Sequence, residues 1–330
     1  MCSAIKLRVV VCAIVLSGCS SGPDEYLFQG STMGTSWSVK LISEEGVEES
    51  DLQIGIQAVL DNVDSKMSNW VSSSDVSEFN MAGSGCWAVS PETLEVVALS
   101  QSISALTDGL FDATLEPLIE LWGFGAEFRS DQIPAEEAVQ QNLAMVGYQK
   151  LRFNQGELCK DVDELFLNLS ATAKGYAVDL TMEHLASLGY GDILVEVGGE
   201  IRGLGLNRNG EFWRVGIESP LDGLMSGAIQ EEVSLENQAL ATSGDYRNYF
   251  MHEGVRYSHI IDARTGYPVP QELASVTVRH DSSAWADGWA TALLAMGAEE
   301  GLRLAEQQRL AVYLILRTDT GFEVKTSSVW

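Results

Sequence analysis

From residue 193 onward the chain is a series of short strand-like runs broken by one helix-period run, and this order constrains the fold more than any other feature. The runs 193–197, 212–217, 257–261, 275–278 and 310–316 are strand-like and short, and Gly-containing turns separate several of them. Among them, 283–296 carries a helical period, with Gly297 placed to end it. A doubly wound parallel sheet needs strict alternation of strands and crossover helices, which this order lacks. The expected fold class is therefore α/β of the mixed α+β kind.

The first half carries most of the helices. Leu52, Ile56, Val59, Leu60, Val63 and Met67 recur at spacings of three and four, which predicts a helix over 51–67 with one buried face. A second is expected over 91–106, with Pro91 suited to its first turn, a third from near Pro134 and a fourth over 173–188. Trp37, Val39 and Leu41 alternate with polar residues as a half-buried strand does, and 165–167 also reads as a strand. No long Pro, Ser or Gly linker interrupts the body, so 30–330 is expected to be one large domain, preceded by a polar tether over 19–29.

Lys6 and Arg8, an apolar run from Val9 to Leu16, and then Ser17-Gly18-Cys19 give residues 1–18 the layout of a signal peptide. The apolar run is too short to span a bilayer as a helix. Small residues directly before Cys19 resemble the lipobox of bacterial lipoproteins, so Cys19 is the expected lipidation site. The expected location is the cell envelope, with the chain held to a membrane and facing the periplasm. A net charge of -27, from 47 acidic and 20 basic residues, argues against nucleic acid as a partner. Cys86 and Cys159 are the two cysteines left in the body; export permits a disulfide between them, but their spacing does not show that they meet. Without a CxxC or a Cys/His cluster, zinc is not expected.

Several segments concentrate polar chemistry. The run 168–179 places small residues and Lys174 at the start of a helix, where backbone N–H groups attract phosphate, although a solvent-facing turn has the same pattern. Gly198-Gly199 is either a structural bulge or a place for a planar ligand to approach. The stretch 241–247 packs hydroxyls with Asp245 and Arg247, and Arg247 suits a phosphate or carboxylate. His259 and Asp262 approach a tight Thr-Gly turn, with His259 either a core imidazole or a general base. Asp287 and Thr291 are four apart on one helical face, which suits either a hard cation such as Mg²⁺ or an ordinary hydrogen bond.

In this order the segments resemble the ApbE family of FAD:protein FMN transferases over nearly the whole body. The resemblance is carried by 31–35, 66–70 with 78–80, 107–114 running into 117–118 and 121–125, 173–176, Gly198-Gly199, 242–247, 259–266, and 286–291. It implies a T-fold-like body with FAD in a cleft and Mg²⁺ at its pyrophosphate. Carried over residue by residue, it makes Asp287 and Thr291 side-chain metal ligands and Ala171 a backbone one. Met33, Trp70, Asp112, Lys174 and Ile261 line the flavin nucleotide, His259 serves transfer, and Arg247 and Asp262 orient that region. The leader fits too, since members of this family are commonly exported lipoproteins. Thr172, Ala263 and Glu116 depart from the usual aliphatic residue, Pro and Gly.

The implied chemistry is attack by an acceptor Ser or Thr hydroxyl on the FMN phosphorus with release of AMP, the acceptors being flavin-carrying subunits of membrane redox complexes. The segment 222–229 is similar to the acceptor motif but one residue too long, and reads as a coincidental loop. Two other readings are an FAD pyrophosphatase, with water as acceptor, and a non-enzymatic flavin-binding lipoprotein. An intact Asp287 and Thr291 argue against the last.

Overall fold

The computed structural model describes residues 22–125, 133–154, 156–221, 227–246, 248–270 and 272–330. It begins with a hairpin, β1 (Asp24–Thr32) and β2 (Thr35–Ser43), followed by α1 (Glu49–Met67) and α2 (Asp75–Met81). Next come β3 (Gly85–Ala88), α3 (Pro91–Leu106), α4 (Glu116–Leu121), α5 (Glu136–Leu143), β4 (Leu151–Asn154) and β5 (Glu157–Lys160). Helix α6 (Ala173–Ser187) leads into β6 (Asp192–Val197), β7 (Glu200–Leu204), β8 (Trp213–Glu218) and β9 (Ile229–Leu235). Strands β10 (Ala239–Gly244), β11 (Tyr249–His252), β12 (Val255–Ser258), β13 (Ile261–Asp262), β14 (Tyr267–Pro268) and β15 (Leu273–His280) follow. The chain closes with α7 (Ser283–Met296), α8 (Ala298–Gln308), β16 (Ala311–Thr318) and β17 (Gly321–Thr326).

Eight strands form one sheet in the order β1-β2-β6-β7-β10-β15-β16-β17, with every neighbouring pair antiparallel. Alternate side chains leave the sheet on opposite faces. Val312, Leu314 and Leu316 join the main core with the helices, whereas Tyr313 and Ile315 pack on the other face against Trp213, Val215 and Leu235 of the β8–β9 ribbon. Three layers result: helices, sheet, and a two-stranded ribbon. Helix α7 lies inside the helical layer and is buried on nearly all sides, which its run of Ala, Leu and Trp allows.

The expected helices form, 91–106 with the expected bounds and Ser90 capping Thr93 N. Three expectations are corrected. The body starts before residue 30, because Asp24–Gln29 pair with β2 as an edge strand; the acids at 24 and 25 hide that strand in the sequence. Residues 165–167 form no strand although Leu165 and Leu167 are buried, and Leu167 N bonds to Asn80 Oδ1 instead of a ladder partner. The run 257–261 breaks after Ser258, where His259 N turns to Asn248 O. Cys86 and Cys159 do meet, joined by a disulfide across β3 and β5.

Candidate active site

A cavity of about 440 Å³ opens where the start of α6, the β6–β7 turn, the end of β10 and the middle of α7 converge. That volume suits a sizeable cofactor fragment. Gly198 and Gly199 make the turn, both at positive φ, the backbone that a two-residue hairpin of this hand requires. The turn sets Glu200 against Lys174 of α6.

Lys174 Nζ lies 3.4 Å from Asp287 Oδ2, 3.5 Å from Glu200 Oε1 and 3.4 Å from Ser170 O. Burial disfavours the ammonium charge, but the two carboxylates outweigh it and hold Lys174 above its ordinary pKa. Asp287, 2% exposed, is raised by burial against the pull of Lys174 and of the Gly175 N–H. Glu200, 3% exposed, is pushed up to about 8 by burial, with Lys174 opposing and Asp287 adding. Its buried Oε2 has no hydrogen-bond partner among the described residues.

The oxygen donors near Lys174 fit a hard cation. The Gly175 N–H donates to Asp287 Oδ2 at 3.1 Å. In regular helical register it would meet Ala171 O. Freed of that donor, Ala171 O accepts no hydrogen bond among the described residues, nor does Asp287 Oδ1. Thr291 Oγ1 meets Ser243 Oγ at 2.9 Å. One carboxylate, one hydroxyl and one carbonyl make an all-oxygen set of the kind Mg²⁺ takes when phosphate and water complete its shell. Among the described residues no group of three or more His, Cys, Asp and Glu side chains forms a metal cluster.

His259 lines the same cavity. Its Nδ1 is 3.1 Å from Asn248 O, and a carbonyl only accepts, so Nδ1 carries the proton of the neutral ring and Nε2 is the basic nitrogen, without a hydrogen bond among the described residues. Burial holds its pKa below the ordinary histidine value. Phe124 contacts the ring edge-on, centroids 6.3 Å apart.

The ApbE family model matches residues 33–314. The chain belongs to the ApbE family. An FAD:protein FMN transferase of Vibrio cholerae is 42% identical over 96% of this chain and 94% of its own length. One of Haemophilus influenzae is 36% identical over 97% and 95%. The solved flavin transferase ApbE from Vibrio cholerae superposes with a TM-score of 0.86 at 41% identity, covering 93% of this chain and 98% of that one.

Of the residues singled out in this ApbE-family chain, Ala171, Lys174, His259, Ile261, Asp287, Thr291 and Asp112 line the cavity. Asp112 is tied into the loops around it. Its Oδ1 accepts from Thr114 N and Oγ1 and its Oδ2 from Tyr148 N, so the carboxylate braces this wall of the cavity. Met33 and Trp70 are not among the cavity residues: Met33 sits in the β1–β2 turn at φ 46°, and Trp70 is 64% exposed. Asp262 also stands outside, its carboxylate bonded to Arg264 N, Nε and Nη2. Arg247, Cys19 and most of the 222–229 segment lie outside the described residues. Sequence reasoning missed Glu200 and Ser243. The one signal for Glu200 was a carboxylate directly after a Gly pair.

Proposed function

We infer that this chain is a Mg²⁺-dependent FAD:protein FMN transferase that attaches FMN through a phosphoester to a Ser or Thr of an acceptor protein and releases AMP. The observation that carries the reading is the convergence of Asp287, Thr291, Ala171 and Lys174 in one cavity with a base-ready His259. Lys174 gives a fixed positive charge for the pyrophosphate of FAD. Mg²⁺ held by Asp287, Thr291 and the Ala171 carbonyl would supply neutralisation of charge on that pyrophosphate. His259 Nε2 takes the acceptor's hydroxyl proton as the new P–O bond forms. The bond between the FMN phosphorus and the bridging oxygen breaks, and that oxygen leaves with AMP.

Acceptors of the flavin-carrying, membrane redox type fit this chemistry. A leader over 1–18 with acylated Cys19 would hold the chain to the membrane on the periplasmic side. Replacing Cys19 with Ala should leave exported chain unattached; full membrane retention would remove the anchor.

To test the assignment, the chain lacking residues 1–18 is incubated with FAD, Mg²⁺ and an acceptor, and the acceptor's intact mass is read. An FMN increment that disappears with chelator and with Asp287→Ala is expected. Undiminished transfer by a folded Asp287→Ala would exclude this metal site.

A further inference from the structure

Asp179 of α6 is buried and does not line the cavity, yet three of its four hydrogen bonds go to the start of the helix that bears Asp287 and Thr291. Its Oδ1 accepts from Arg202 Nη1 at 2.6 Å and Ser283 N at 3.0 Å. Its Oδ2 accepts from Ser282 Oγ at 2.7 Å and Ala284 N at 3.0 Å. Ser283 and Ala284 open α7, where N–H groups have no intrahelical partner, and a negative charge is favoured at that end. One helix thus caps the next through a buried side chain. Asp287 follows Ser283 by four residues and Thr291 by eight, so both stand on the face whose rotation that first turn sets.

We propose that Asp179 is a positioning residue for the metal oxygens. By fixing the first turn of α7 against α6 it sets the register in which Asp287 and Thr291 meet Lys174 and Ala171. One further contact shares the seam, the Gly175 N–H donating to Asp287, while Arg202 ties the Asp179 carboxylate to β7. Asparagine is no substitute. Its one carbonyl oxygen serves one side, and its NH₂ would face the Ala284 or Ser283 N–H.

This proposal rests on the Mg²⁺ reading above, and the experiment separates the two. Unfolding temperature, FAD affinity without metal, half-saturating Mg²⁺ for AMP release, and heat of Mg²⁺ binding to the FAD complex are measured for the unaltered chain, Asp179→Asn and Ser282→Ala. For Asp179→Asn the expected result is a rise of about tenfold in half-saturating Mg²⁺, the scale of losses when a residue supporting metal ligands is changed. Turnover at saturating Mg²⁺ should return to near the unaltered value and metal-free FAD affinity should stay constant. Ser282→Ala should shift Mg²⁺ the same way by a smaller factor. A folded Asp179→Asn with half-saturating Mg²⁺ within twofold of the unaltered chain overturns the proposal. If Asp179→Asn does not fold, an unchanged Mg²⁺ requirement in Ser282→Ala overturns it instead. AMP release that is independent of Mg²⁺ in the unaltered chain overturns the metal reading itself, and Asp179's role with it.

Discussion

The Gly175 N–H donates to Asp287 Oδ2 across the seam between α6 and α7, at 3.1 Å. The two helices approach so closely there that a Cβ on Gly175 would lie 2.3 Å from Ser283 O and 2.8 Å from Ala284 Cα, both backbone atoms. The absent side chain is what lets α6 and α7 present Lys174, Ala171, Asp287 and Thr291 to one point.

Gly175→Ala therefore tests the seam. Within an ordinary helix the exchange stabilises by about 0.5–1 kcal/mol. Here overpacking against backbone should reverse the sign and cost about 1–3 kcal/mol, with transfer falling too. Chemical denaturation measures the first effect, and a stabilised, active variant would mean that the seam is looser than described.

His259→Ala should lower turnover by about 10²–10⁴, the usual worth of a positioned acid or base, while FAD affinity changes little. Because burial holds the imidazole below the ordinary 6.5, the free base should persist through neutral pH. Activity should fall only as pH drops beneath that value. Equal losses in binding and turnover would remove His259 from proton transfer.

Glu200 gives a stability signature. Its carboxyl stands at about 8 when folded against an ordinary 4.5, so between these values the folded chain holds a proton that the unfolded chain has released. The contribution is full below the unfolded value and is lost as pH rises through about 8. Thermal unfolding should show stability declining over that window, and Glu200→Gln should flatten the decline. An unchanged slope would contradict the assignment.

What the sequence revealed follows the range of each interaction. The spacing of Asp287 and Thr291 on one helical face was legible, because it is local. That Gly175 N would face Asp287 was not, since the two are far apart in the chain and meet only when α6 packs on α7. Glu200 stayed hidden for the same reason: only pairing of β6 with β7 places it against Lys174. The bond from Tyr148 N to Asp112 was equally hidden, since it joins the motif to a segment beyond α5. Strand β1 escaped notice because an edge strand needs only one apolar face, here Tyr26 and Phe28 among exposed neighbours.

On this reading a protein hydroxyl, not water, takes the FMN. The ratio of acceptor-bound FMN to AMP released, measured with FAD, Mg²⁺ and excess acceptor, distinguishes the two. A ratio near one, with little AMP formed when acceptor is withheld, is the predicted result. AMP accompanied by free FMN, with acceptor mass unchanged across several acceptors, would contradict it and leave a pyrophosphatase.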